Sequence, residues 1–131
     1  MKIKRFEDLE CWQEARKLVK IVYEAINANK RLSADFRFSG QFSAAAVSSM
    51  SNIAEGFSKE TDKEFQRGLW ISKGSAAEVQ SLSYAGLDLS YLAEPTMQAI
   101  YAQADKVASL DSGMIKYLRR SAIRKTSRKK R

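Results

Sequence analysis

Apolar residues recur three and four positions apart along most of the chain, and this spacing predicts four helical segments. In the first, from about Asp8 to Asn27, Trp12, Ala15, Val19, Val22 and Ile26 form one stripe. Cys11, Leu18, Ile21, Ala25 and Ala28 form a second stripe in the adjacent phase. Two adjoining stripes make a wide apolar arc, and such an arc predicts more than one neighbour, within a bundle or on another subunit. The stretch "NANKRLS" breaks the pattern and is expected to be the first connection.

The second helix is predicted from Asp35 to Glu55, with Phe38, Phe42, Ala45, Ser49 and Ile53 on one face. Its centre, "SAAAVSS", is a run of small side chains that lets another helix approach closely. Gly56 is expected just past its end, where a left-handed backbone costs glycine little. A third helix is predicted from Asp62 to Leu92, opened by Thr61 and Glu64 at capping-box spacing. Along it Trp70, Ala77, Tyr84 and Tyr91 recur every seventh residue, beside a stripe of Phe65, Leu69, Ser72, Ala76, Val79, Leu82, Gly86 and Leu89. Gly68, Gly74 and Gly86 lie inside this helix at a cost of about 1 kcal/mol each, so a packing reason is expected at each. Pro95 suits the first turn of a last helix that runs to about Arg120, with Met97, Ile100, Ala104, Val107, Met114 and Leu118 inward. Short connections between long helices predict an all-α chain, folded as an antiparallel up-down four-helix bundle over residues 1–118.

Composition agrees with one helical domain: 131 residues, 44% apolar, one proline and six glycines. No run approaches the roughly 18 apolar residues of a membrane span, and the N-terminus has no apolar leader, so a cytoplasmic protein without a membrane partner is expected. With no histidine and a single cysteine, Cys11, no conventional zinc site, disulfide or cofactor is expected, and Cys11 is expected to be buried.

Charge changes the picture more than composition does. The segment 119–131, "RRSAIRKTSRKKR", holds eight cations (Arg119, Arg120, Arg124, Lys125, Arg128, Lys129, Lys130 and Arg131) and no acid. Removing these 8 from the 23 lysines and arginines leaves 15, equal to the 15 acids, so the tail carries the whole net charge of +8. Such a run repels itself and is expected to be mobile until a polyanion or an acidic partner orders it. If about six to eight of these cations met phosphates, the slope of log affinity against log salt would be on the order of −5 to −7. Lys2, Lys4 and Arg5 extend the basic character at the other terminus.

The stretch Ser48 to Phe65, "SSMSNIAEGFSKETDKEF", holds the residues that most resemble an active site. Without histidine there is no Ser-His or Cys-His nucleophile, and a lone carboxylate such as Glu55 beside Asn52 is a weak general base. Asn52 and Glu55 are instead expected to hydrogen-bond to a neighbouring helix or subunit, and the chain is expected to be no enzyme. Trp70, Tyr84 and Tyr91 are expected in the core or a subunit interface, with base stacking as the alternative.

"FEDLECWQEARKLVKIVYE", "AAVSSMSNIAEGFSKETDKEF" and "GSAAEVQ" followed by "LDLSYL" together resemble the bacterial family of large-subunit rRNA intervening-sequence proteins, which includes the Avd-type accessory proteins of diversity-generating retroelements. The resemblance spans about Phe6 to Leu118, and "SNIAEG" with its Asn52, Glu55 and Gly56 is its most specific part. It implies a homo-oligomeric ring of five bundles with a basic face, no known enzymatic activity and, in the retroelement branch, binding to a reverse transcriptase and its RNA or DNA. Met50 stands where the family often has proline, so the second helix can continue without a kink. Ser43 and Ala44 stand where the family often has two arginines, and the tail is expected to take over their electrostatic role. The function so implied is a non-enzymatic accessory protein that binds RNA or DNA phosphates through the tail with little sequence preference. The alternative is an oligomeric scaffold for an acidic protein.

Overall fold

The computed structural model describes the backbone of residues 3–129 and the side chains of residues 3–122. Among these residues there is no strand: a 3-10 turn, Phe6–Asp8, precedes α1 (Glu10–Ala28), α2 (Lys30–Ala34), α3 (Phe36–Ser58), α4 (Asp62–Asp88) and α5 (Glu94–Lys129). The chain is all-α, as expected. α3 packs along α4, α4 along α5, and α1 against both α3 and α5, so α1 and α4 lie across the core from each other, as do α3 and α5. That core is built from the predicted stripes: Leu18 and Val22 of α1, Phe42 and Ile53 of α3, Leu69 and Val79 of α4, and Ile100, Val107 and Leu118 of α5 are fully buried or nearly so. Cys11 and Trp12 are buried with them.

The connections differ from expectation in instructive ways. "NANKRLS" contains a helical turn of its own, α2, because the Asn29 side chain accepts from the Leu32 amide at 2.9 Å and Leu32 is fully buried. Asp35 then caps α3 by accepting from the Phe38 amide at 3.1 Å, and its second oxygen accepts from the Tyr91 hydroxyl at 2.7 Å, which ties the start of α3 to the α4–α5 turn. The Tyr91 hydroxyl, with the Phe38 amide behind it, holds the Asp35 carboxyl below the usual carboxylate range.

Gly56 does not end its helix. α3 continues to Ser58, and the left-handed turn falls on Glu60 (φ 65°). The glycine serves packing instead, since its Cα faces that of Gly68 across the α3–α4 crossing. α4 stops at Asp88 rather than Leu92: Ser90 is left-handed (φ 60°), and the Tyr91 and Leu92 amides donate to the Gly86 carbonyl at 2.8 and 3.1 Å. Leu92 folds over Gly86, where a Cβ would stand 2.8 Å from Leu92 Cδ1. Gly68 and Gly86 thus have the expected packing reason, whereas Gly74 has open space around it.

The seven-residue aromatic stripe of α4 faces outward, with Trp70 and Tyr84 47% and 54% exposed, so neither belongs to the core. The neighbouring stripe, from Phe65 through Ser72 and Val79 to Gly86, faces inward, and there is not arc enough on one helix for both.

Candidate nucleic-acid interface

α5 outruns its predicted end by nine residues, from about Arg120 to Lys129. No proline or glycine follows Gly113, lysine and arginine are good helix formers, and cations at a helix C-terminus are favoured by the macrodipole. The Ser72 hydroxyl donates to Asp111 at 2.6 Å and the Gln80 amide to the Tyr101 carbonyl at 3.3 Å, which fixes the antiparallel register of α4 and α5. In that register Asp62, the first residue of α4, lies opposite about residue 121 of α5, and the remaining turns of α5 extend past it at about 1.5 Å per residue.

No acidic residue follows Asp111, so Lys116 and the eight terminal cations stand unopposed along the sequence. Arg119 and Arg120 are exposed. Arg124, Lys125, Arg128 and Lys129 have helical backbone, but their side chains lie outside the described residues, as Lys130 and Arg131 do altogether.

Trp70 projects where α4 meets this part of α5. Lys73 Nζ, one turn along α4, lies 5.0 Å from the indole centroid, and Arg119 Cζ, from α5, lies 5.6 Å from it. Among the described residues neither cation has a carboxylate within ion-pair distance. Further along the same helix pair, Tyr84 of α4 and Tyr101 of α5 meet edge to face at 5.7 Å.

The motif stretch Ser48 to Gly56 lies elsewhere, on the α3–α4 seam. The Asn52 amide donates to the Ser48 carbonyl at 2.8 Å and to Ser48 Oγ at 3.1 Å, and that hydroxyl accepts from Ser75 of α4 at 2.9 Å. Asn52 thus bonds along its own helix and not across to the neighbouring one, because the Gly56–Gly68 contact brings the backbones too close for a side chain between them. Glu55 is exposed and lines a cleft of about 130 Å³ with Lys59, Glu64, Arg67 and Ile71, below the roughly 300 Å³ of an ordinary small-molecule site. Asn52, Glu55 and Gly56 are brought together with one another and with α4, not with the basic end of α5. Ser43 turns its hydroxyl back to the Ser39 carbonyl at 2.8 Å, and Ala44 is exposed, so this part of α3 presents no charge.

Two polar clusters escaped the sequence reading. The first is a buried layer with one member from each long helix. Ser49 of α3 and Ser72 of α4 share a hydrogen bond of 2.8 Å, Ser72 donates to Asp111 of α5, and the Cys11 thiol of α1 adjoins that carboxylate. Burial pushes the Asp111 carboxyl up to about 7 against the stabilising pull of Ser72, Lys73 and Cys11, and burial followed by the Asp111 charge pushes the Cys11 thiol up to about 12. Asp111 Oδ1 has no hydrogen-bond partner. In the second cluster, buried Glu14 of α1 meets Lys106 Nζ of α5 at 2.5 Å and Lys17 at 2.9 Å. Lys106 first and Lys17 second hold the Glu14 carboxyl below its usual range. A signal existed for both acids: Glu14 falls between Cys11 and Leu18, and Asp111 between Val107 and Leu118, each on the inward phase of its helix.

Residues 7–122 match the family model described as 23S rRNA-intervening sequence protein. Among solved structures, the chain is similar to a protein from Bacteroides thetaiotaomicron VPI-5482, titled as one of unknown function from the S23 ribosomal protein family. The two superpose with a TM-score of 0.72 at 19% identity over 81% of this chain and 95% of the other, a likeness of fold. No curated protein sequence matches the chain.

Proposed function

Because this chain belongs to the 23S rRNA-intervening sequence protein family, we propose that it is a non-enzymatic, cytoplasmic RNA-binding protein whose basic α5 terminus grips phosphates with little sequence preference. The observation that carries the reading is the join between charge and helix. Eight cations with no acid among them begin at Arg119, and α5 carries the backbone of the first six as one helix to Lys129. Such a rod tracks a phosphate backbone through charge and shape, which carry little sequence information. We read the packing of α1, α3, α4 and α5 as an antiparallel up-down four-helix bundle and the subunit of a pentameric ring, in which five basic rods would act together through avidity.

The test replaces Arg124, Lys125, Arg128, Lys129, Lys130 and Arg131 by glutamine, which keeps helix propensity and removes charge. RNA affinity is measured across salt concentrations for both proteins. The unaltered chain is expected to show a slope on the order of −5 to −7 and the variant about −2, with correspondingly weaker binding. Equal affinities and equal slopes would refute the reading and favour an acidic protein as the partner of this surface.

A further inference from the structure

Trp70 is the feature of the surface that the phosphate grip leaves unexplained. A half-exposed indole is costly in water, and it stands where α4 and α5 converge, at the first cation of the acid-free segment. Two positive groups from two helices lie against it, at 5.0 Å and 5.6 Å, and neither has a carboxylate within ion-pair distance among the described residues. A second copy of this chain docking on the ring would have to desolvate both cations, neither of which has an ion-pair partner among the described residues. A nucleic acid brings its own counter-charge, and an unpaired base brings a flat apolar face of the right size.

We propose that Trp70, Lys73 and Arg119 form a stacking site for an unpaired base of single-stranded RNA. The base lies on the indole, and the flanking phosphates lie on the Lys73 ammonium and the Arg119 guanidinium. In the free chain the two cations rest on the ring. An entering base takes the place of one of them, and that cation moves to a phosphate. The exchange is favourable because a cation–π contact at an exposed site is weaker than base–aromatic stacking, and the displaced charge gains an anionic partner. Arg119 links the two sites, since a strand leaving Trp70 continues onto α5. This inference rests on the RNA-binding reading above and adds a preference for unpaired over paired strands.

The test compares the full chain with Trp70→Ala and Trp70→Phe on a 20-nucleotide single-stranded RNA and on a 20-base-pair RNA duplex. Trp70→Ala is expected to weaken single-strand binding about tenfold at an unchanged salt slope and to leave duplex binding as it was, while Trp70→Phe recovers most of the loss. In the unaltered chain, tryptophan fluorescence is expected to be quenched by the single strand and not by the duplex, because Trp12 is buried. This readout needs no variant. Single-strand affinity untouched by Trp70→Ala, or quenching equal for both RNAs, would overturn the stacking site while leaving the phosphate grip standing. So would a change of oligomeric state in Trp70→Ala, seen by light scattering, with RNA affinity unaltered; Trp70 would then be a subunit contact. Failure of the unaltered chain to bind either RNA would defeat the phosphate reading itself.

Discussion

Gly68 of α4 rests against Gly56 of α3 so closely that a Cβ on Gly68 would stand 3.0 Å from the Gly56 Cα and 2.4 Å from the Asn52 carbonyl oxygen. Those neighbours are backbone atoms, which cannot swing aside, so the two helices would have to part. Alanine at 68 gains about 1 kcal/mol of helix propensity and loses more than that to the displaced seam. Gly68→Ala is expected to lower unfolding stability by about 1–3 kcal/mol net in urea titrations. Gly56→Ala, whose Cβ would meet backbone at 3.0 and 3.1 Å, is expected to cost less. Gly74→Ala, with nothing within 4 Å, is expected to stabilise by about 0.5–1 kcal/mol.

The motif stretch illustrates which parts of this molecule can be read from its sequence. Inward stripes were legible because burial imposes a period, and Phe42, Leu69, Val79 and Leu118 fall where the period puts them. Thr61 was legible as a cap because its hydroxyl has one local task, accepting from the Glu64 amide at 3.2 Å. The role of Gly56 was not, because a glycine near a helix end fits a left-handed cap as well as a tight crossing, and only the position of Gly68 decides. Trp70 could not be assigned between core and surface for a related reason: two apolar stripes on α4 compete for one core, and their periods do not say which wins. The cations at 119–131 were legible as charge, but the helix that carries them as far as Lys129 was not, since self-repulsion argues for disorder while composition and dipole argue for helix.

Glu14 supplies the acid limb of stability. Its carboxylate is buried and ion-paired with Lys106, which joins α1 to α5, and with Lys17 of its own helix, and the two hold it ionised below its usual range. A depressed folded value stabilises the native state above the unfolded value near 4.5, and that contribution is lost as pH falls through the folded value. Glu14→Gln is expected to cost about 2 kcal/mol at pH 7 and to flatten the acid side of the stability profile, as measured by urea unfolding between pH 2 and pH 6.

Asp111 works in the opposite sense. Its folded value of about 7 lies above the ordinary 3.8, so the folded chain holds the proton more tightly than the unfolded one. The resulting stabilisation is complete below about pH 4, declines as pH rises toward 7, and is lost above it, by an amount on the order of 4 kcal/mol at most. Asp111→Asn keeps an acceptor for Ser72 and cannot ionise. It is expected to be more stable than the unaltered chain at pH 8, the difference vanishing near pH 4. With Glu14 acting on the acid side, the unaltered chain is expected to be most stable near pH 4, where the two opposing slopes balance.

The last prediction separates the charge of the α5 terminus from its geometry. Proline at 121 would remove one helical hydrogen bond and clash with the carbonyl of residue 117, breaking α5 while every cation remains on the chain. Ser121→Pro is therefore expected to reduce the far-ultraviolet helical signal by about the nine residues from 121 to 129, without loss of the fold, because Leu118, the last large core side chain among the described residues, precedes the break. The number of phosphates neutralised depends on the count of cations, so the salt slope of RNA binding should be the same as for the unaltered chain. The affinity itself should fall by roughly tenfold, because the strand must then order a loose segment that the helix had already set in place. Equal affinity at a reduced helical signal would mean that the terminus acts as a flexible polycation. A reduced slope would mean that the break had removed phosphate contacts, and that the helix, not charge alone, determines how many are made.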